Sequence, residues 1–138
     1  MTTPDILVRS HMWPVRHQFH PKMSVEEVVE IITNNNIMGA PVIDDDKKLM
    51  GFITEQDCMK QMLNSSYYSE DHQLAEEIMR TPACYVSPNT DILDLAQDML
   101  GQKPKLYPVV ENNEVIGIIS RADVLKFLEK SRVEPSHG

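Results

Sequence analysis

The residues best placed to do chemistry form a seven-residue pattern that occurs twice. The first copy runs from Gly51 to Asp57 and the second from Gly117 to Asp123. Each has a glycine, two apolar residues, a hydroxyl, two free positions and an aspartate. A hydroxyl beside the free amides and positive dipole of a helix N-terminus suits a phosphate. A carboxylate one turn further along can accept the paired hydroxyls of a ribose, so each copy is a candidate ligand site.

The same residues also fit a purely structural role. A hydroxyl residue followed three positions later by an acidic residue is a helix-capping pattern, which stabilises a helix by about 1 kcal/mol without any ligand. Thr54 with Asp57 and Ser120 with Asp123 both meet that pattern. The sequence leaves the binding role and the capping role open.

The two copies differ at the position after the hydroxyl, which is Glu55 in the first and Arg121 in the second. A carboxylate beside the hydroxyl opposes a phosphate, whereas a guanidinium attracts one. This difference predicts that the Ser120–Asp123 site takes a phosphorylated ligand. The Thr54–Asp57 site is then weaker, or prefers a less anionic ligand.

The sequence surrounding each copy is duplicated as well. A spacing of 67 residues relates Pro41-Val42 to Pro108-Val109 and Met12 to Met79, and it drops to 66 after the hairpin turn, which is one residue longer in the first copy. An internal repeat of this length indicates two copies of one supersecondary unit. We expect an N-terminal lead-in over residues 1–11, a first repeat over 12–63, a connector over 64–75, a second repeat over 76–130 and a tail over 131–138.

Local signals predict the order strand, helix, strand, strand, helix in each repeat. Ser24 and Glu27 form a capping box ahead of an apolar stripe at helical spacing. Two short apolar runs joined by polar residues 44–48 indicate a hairpin. First strands are expected over 15–19 and 83–87. The predicted fold class is α/β, with two β-α-β-β-α repeats packed with pseudo-twofold symmetry.

The composition restricts the classes of function. A net charge of -8 opposes binding to nucleic acid or anionic lipid. No apolar run has the length required to cross a membrane. Two cysteines form no disulfide framework and favour a reducing, cytoplasmic setting. Since no phosphate-cradling loop, nucleophile elbow or zinc-protease motif is present, we expect no catalysis.

The duplicated motifs, each preceded by Pro-Val and a hairpin, resemble paired cystathionine β-synthase (CBS) domains, which form a Bateman module. The resemblance covers about residues 12–63 and 76–130. It implies a regulatory module that binds an adenosyl ligand, such as AMP, ADP, ATP or S-adenosylmethionine, in clefts between the repeats. It also implies that the motif hydroxyls hold phosphate and the aspartates hold the ribose hydroxyls, which assigns these roles to Thr54 with Asp57 and to Ser120 with Asp123.

The resemblance further implies that residues near the first strand and the Pro-Val strand flank the adenine. In this sequence they are Val15, His17, Ala40 and Pro41 in the first copy, and Ala83, Tyr107 and Pro108 in the second. Modules of this kind commonly form flat dimers through their helices. We therefore expect a stand-alone homodimer that senses an adenosyl ligand and signals to a partner protein.

Two alternatives remain open at this stage. One is a structural or dimerisation module whose ligand sites are empty. The other is a metal or redox sensor that uses His17 and Cys84, which occupy equivalent positions in the two repeats. No recognised zinc-ligand spacing supports this second alternative.

Overall fold

The structure is a computed structural model that describes residues 5–65 and 73–131. Residues 1–4 of the expected lead-in, 66–72 of the expected connector and 132–138 of the expected tail lie outside the described residues. A 3-10 helix spans Val8–Ser10. The other elements of the described chain are α1 (Val25–Asn35), β1 (Gly39–Ile43), β2 (Leu49–Thr54), α2 (Glu55–Ser65), α3 (Ala75–Ile78), α4 (Ile92–Asp98), β3 (Leu106–Glu111), β4 (Glu114–Ser120) and α5 (Arg121–Ser131).

Two antiparallel hairpins place the motif hydroxyls. In the β1–β2 hairpin, Gly39 lies opposite Thr54. In the β3–β4 hairpin, Leu106 lies opposite Ser120 in the corresponding position. Each hydroxyl residue is therefore the last residue of a strand and directly precedes a helix. The α/β fold class and the two hairpins are confirmed.

The two hairpin turns are built differently. Asn112 and Asn113 both adopt positive φ, 53° and 67°, which matches a two-residue turn of the twist that hairpins favour. The first turn is longer, and the Asp44 carboxylate holds it by accepting the Lys48 amide at 2.9 Å. Lys47 supplies the positive φ there, at 66°. Short polar side chains and left-handed residues thus close both turns.

Helix α1 begins after the predicted cap Ser24, but the Glu27 carboxylate bonds the Ser24 hydroxyl and not the Ser24 amide that the predicted capping box requires. The Ser24 hydroxyl accepts a hydrogen bond from the Glu27 amide at 3.2 Å and donates one to the Glu27 carboxylate at 3.3 Å. Val28 and Ile32 are buried on its inner side. The helix ends at Asn35, and the following residue, Asn36, adopts a left-handed φ of 52° that terminates the hydrogen-bond ladder.

The expected first strands are shorter than predicted. Residues 15–19 and 83–87 do not form full strands. In the first segment Phe19 forms a parallel bridge to Val42, and in the second Val86 forms one to Val109. A proline two residues later in each segment cannot donate a backbone hydrogen bond. Each of these two segments therefore bridges its hairpin at one residue and does not pair along its length.

The chain divides into two compact units, one of residues 16–83 and one of residues 1–15 with 84–138. Each has its own apolar core. The core of the first contains Phe19, Val28, Val42 and Ile53, and that of the second contains Val8, Ile92, Leu95, Val109 and Ile119. Fully burying one such side chain stabilises the fold by about 1.5–3 kcal/mol.

The segment ahead of each repeat belongs to the unit of the other repeat. In the unit containing residues 84–138, the Val8 amide donates to the Thr90 carbonyl at 2.9 Å. In the unit of residues 16–83, the Ala75 amide donates to the Met23 carbonyl at 2.7 Å. Val8 and Ala75 are both 0% exposed. Two equivalent lead-in segments, 5–13 and 73–80, are thus exchanged between the units.

The length and apolar character of a helix decide whether it could cross a membrane. Within residues 5–65 and 73–131, no helix is both long enough and apolar enough to cross a membrane.

Candidate functional site

Each motif hydroxyl and its aspartate form a reciprocal pair at a helix N-terminus. In the first repeat the Thr54 hydroxyl and amide both donate to Asp57 Oδ2 at 2.9 Å, and the Asp57 amide donates to Thr54 Oγ1 at 3.2 Å. In the second, the Ser120 hydroxyl and amide donate to Asp123 Oδ2 at 2.9 and 2.8 Å, and the Asp123 amide donates back at 3.1 Å. The structure thus brings together both predicted pairs, in a capping geometry.

The second oxygen of each aspartate meets a residue that sequence reasoning did not assign to the site. Arg80 Nε donates to Asp57 Oδ1 at 2.9 Å and to Oδ2 at 3.1 Å. Trp13 Nε1 donates to Asp123 Oδ1 at 2.9 Å. Each aspartate is therefore held both by its helix cap and by a side chain from a lead-in segment.

The backbone places Trp13 and Arg80 in equivalent positions. Trp13 exchanges two hydrogen bonds of 2.8 Å with Ile118, and Arg80 exchanges bonds of 2.8 and 3.1 Å with Phe52. The two residues are also 67 apart in sequence, which is the repeat spacing. Their equivalent spacing was the one sequence signal that could have pointed to these two residues, but spacing alone does not reveal that they contact the aspartates.

The motif glycines allow this approach of the lead-in backbone. A Cβ atom at Gly51 would lie 2.7 Å from the Arg80 carbonyl oxygen. One at Gly117 would lie 2.9 Å from the Trp13 carbonyl oxygen. Because real Cβ contacts are longer than this, the glycines are needed for packing against a neighbouring backbone.

The residues after the hydroxyls have different surroundings. The Arg121 guanidinium donates to the Lys103 carbonyl at 3.0 Å, and its amide donates to the Lys105 carbonyl at 2.8 Å. The Glu55 amide donates to the Met38 carbonyl at 2.9 Å. Both side chains are exposed. Their opposite charges therefore lie at the surface beside Thr54 and Ser120.

Four predicted adenine-flanking residues lie in the hairpins. Ala40 and Pro41 pair with the two residues that precede Thr54 by one and two positions. Tyr107 and Pro108 have the same relation to Ser120. All four are buried. Burial, the largest cause, and the neighbouring Cys84 and Asp98 raise the pKa of Tyr107, so its hydroxyl is neutral at physiological pH.

The other three flanking candidates lie in extended segments. Val15, His17 and Ala83 are half-buried, and Val15 and Ala83 are the last residues before the boundaries between the units. The same segments bear on the metal alternative. In the described part of the chain, no group of three or more histidine, cysteine or acidic residues is placed to hold a metal ion.

Equivalent helices expose apolar side chains. In α2, Met59 and Met62 are 58% and 54% exposed, and in α5 Leu125 is 66% exposed. An open groove beside α5 is lined by Leu93, Ala122, Leu125, Lys126, Leu128 and Glu129. Exposed apolar surface on a helix commonly marks an interaction site.

The CBS domain family model matches residues 5–64 and 75–130. These two segments include both hairpins, both motifs and both lead-in contacts described above. The chain therefore belongs to the CBS domain family and carries two repeats of that domain.

Solved CBS proteins share this fold. The chain is 27% identical to CBSX2, whose crystal structure was solved in complex with AMP. The TM-score is 0.78, and the match covers 93% of this chain and 99% of the CBSX2 chain. It is 24% identical to the CBS domain pair of protein MJ0100, solved with 5′-methylthioadenosine and S-adenosyl-L-methionine, with a TM-score of 0.77 and coverage of 93% and 99%. The similarity to MJ0100 shows a shared fold.

Curated relatives are mostly longer than the matched region. An uncharacterised protein of Methanocaldococcus jannaschii, MJ1225, is 25% identical over 104 residues, which is 75% of this chain and 36% of that protein. The chain spans 37% and 58% of two further relatives. What it shares with them is therefore the CBS region.

Proposed function

We propose that this chain is a regulatory CBS pair that binds an adenosyl ligand at the N-terminal ends of α2 and α5. The observation that carries the proposal is the duplicated hydroxyl–aspartate pair at the start of each helix. Thr54 and Ser120 would hold a phosphate or similar polar group, and Asp57 and Asp123 would hold the ribose. The AMP complex of the 27% identical relative CBSX2 supports a ligand of this class.

Local chemistry supports those roles. The N-terminus of an eleven-residue helix presents the positive end of its dipole to an anionic group. An ionised aspartate accepts hydroxyl hydrogen bonds more strongly than a neutral group does. Val15, His17, Ala40 and Pro41 in one copy, and Ala83, Tyr107 and Pro108 in the other, would flank the adenine. Exposed Arg121 would favour a phosphate near Ser120.

The proposal extends to assembly and signalling. The exposed apolar residues of α2 and α5 support a homodimer formed through these helices. A ligand that binds one conformation better than another shifts their populations, and a partner protein can sense that shift. We place the protein in the cytoplasm and assign it no catalytic role.

One observation favours a second candidate function. The capping hydrogen bonds of Thr54, Asp57, Ser120 and Asp123 all join groups within each hydroxyl–aspartate pair. A structural or dimerisation module would need nothing more from these residues. The two functions differ in whether a ligand stabilises the protein.

Thermal unfolding with AMP, ADP, ATP, S-adenosylmethionine or NAD, each at millimolar concentration, tests the proposal. A ligand at about 100 times its Kd adds ~2.7 kcal/mol, which raises Tm by several degrees. We expect that rise to shrink in Asp57→Ala and Asp123→Ala, each compared with its own ligand-free Tm. Asp94→Ala is the matched control, since Asp94 is an exposed aspartate in the first turn of α4. No shift with any ligand would favour the structural module.

A further inference from the structure

The hydrogen bonds at the two aspartates limit what a ligand can reach. A carboxylate has about four positions at which it accepts hydrogen bonds, two on each oxygen. The Oδ2 atom of Asp123 already accepts the amide and hydroxyl of Ser120, and its Oδ1 atom accepts the Trp13 indole. One position on Oδ1 remains, whereas a ribose diol donates two hydrogen bonds. Both hydroxyls can bind Oδ1 only if the indole moves away.

Asp57 is held more firmly than Asp123. Its Oδ2 atom accepts the Thr54 amide and hydroxyl, and Arg80 Nε contacts both of its carboxylate oxygens. The guanidinium is charged and the indole is neutral, so the bond from Arg80 is the stronger competitor. The Asp57 side chain is 14% exposed and the Arg80 side chain is 56% exposed, so solvent screens this ion pair only from the side of the arginine.

We propose that Trp13 and Arg80 are internal competitors for the two ribose-binding carboxylates and that they rank the two sites. The Asp123 site fills first, because its ligand displaces a neutral donor from one oxygen. The Asp57 site fills second, because its ligand must displace the charged Arg80 guanidinium from two carboxylate oxygens. This inference rests on the proposed adenosyl function. It gives the same order of affinity as Glu55 and Arg121 do, from independent contacts.

Trp13 is the only tryptophan of the chain, so its fluorescence reports on the Asp123 site without any substitution. Adenosine is the probe, because an uncharged ligand separates competition for the carboxylate from attraction to Arg80. We expect the Trp13 emission to stop changing once the first of two equivalents of adenosine has bound. Calorimetry measures how many equivalents are bound. An emission change that follows the second equivalent, or no change while calorimetry shows binding, would overturn the ranking.

Substitutions test the competition directly. We expect Arg80→Met to tighten the weaker adenosine site by about tenfold or more, and Trp13→Phe to tighten the stronger site by up to about tenfold, which corresponds to ~1.4 kcal/mol. The control is Arg9→Met, which removes an arginine of similar exposure that pairs with Glu111. It should leave both affinities unchanged. Arg80→Gln provides a second test if Arg80→Met lowers the thermal stability.

The outcomes separate the two hypotheses. If calorimetry detects neither adenosine nor AMP binding to the wild type, the adenosyl function fails and the ranking fails with it. If the wild type binds adenosine but Trp13→Phe and Arg80→Met bind it no more tightly, the function stands and the competition is wrong.

Discussion

The backbone of Trp13 crosses Gly117 so closely that a Cβ atom at position 117 would lie 2.9 Å from the Trp13 carbonyl oxygen. We expect Gly117→Ala to destabilise the protein by about 1–3 kcal/mol, because the main chain must shift to admit the methyl group. Urea unfolding measures the change. Adding Trp13→Ala should not restore stability, since the close atoms are Met12 Sδ at 2.8 Å and the Trp13 carbonyl oxygen at 2.9 Å, and neither belongs to the indole. A recovery would mean that the indole causes the conflict.

The helix caps can be measured apart from ligand binding. We expect Thr54→Ala and Ser120→Ala each to lower the free energy of unfolding by about 1 kcal/mol, because each leaves a helix amide without its acceptor. Thr33→Ala is the control, since the Thr33 hydroxyl bonds a carbonyl within α1 and caps nothing. Equal effects of all three in urea unfolding would contradict the capping role.

The docked lead-in can be tested at Val8, which is 0% exposed. We expect Val8→Ala to cost about 1–3 kcal/mol of stability through lost apolar burial. Hydrogen exchange should show the loss first in β3, β4 and α4, which share the core of Val8. Ile6→Ala is the matched control, because Ile6 lies in the same segment and is 41% exposed. Equal loss of protection in β1 and β2 would contradict this local effect.

The two thiols should react at very different rates. Cys58 is 5% exposed, and burial first, then the Asp57 charge, raise its pKa. Since the thiolate is the reactive form, we expect an aromatic disulfide reagent to label one thiol quickly in the native protein and two after unfolding. Cys84→Ser should abolish the fast phase.

The same pKa shift gives stability a pH dependence. The native state favours the neutral Cys58 thiol. The resulting contribution of Cys58 to the free energy of unfolding is complete below the pKa of the thiol in the unfolded state, and it is lost as pH rises through the pKa in the folded state. Cys58→Ser should therefore weaken the fall in stability at alkaline pH.

The proposed dimer depends on the exposed faces of α2 and α5. We expect the double variant Met59→Lys/Leu125→Lys to sediment as a monomer, because it places charges in an apolar contact. Leu100→Lys replaces an even more exposed leucine, at 73%, outside both helices. It should remain dimeric. A monomeric wild type, or a dimeric double variant, would reject this interface.

Local elements were predictable because their signals are local. The Ser24 cap, the apolar spacing of Val28 and Ile32, and the polar hairpin turns act over a few residues, and all are present in the structure. The hydroxyl–aspartate pairs belong to the same class, since three residues separate their members. Pattern and backbone geometry were sufficient for these features.

The partners of the aspartates were not predictable in that way. Trp13 and Asp123 are 110 residues apart, and Arg80 and Asp57 are 23 apart. Their contact depends on which unit receives each lead-in segment, and no local propensity encodes that choice. The repeat spacing showed only that Trp13 and Arg80 are equivalent. Likewise, Arg121 was expected to face a phosphate, but its bond to Lys103 depends on a neighbouring loop.

The exchange of lead-in segments sets an order of events during synthesis. All residues of the unit 16–83 have been made once Ala83 is added, whereas Trp13 finds its backbone partner only when Ile118 has been made. Because 35 residues separate Ala83 from Ile118, this delay is roughly 2–7 s at ~5–20 residues per second. The lead-in segment 5–13 is therefore seated only after every residue of the unit 16–83 has been made, and a nascent chain stalled between the repeats would hold one complete unit and a lead-in segment without its partner strand.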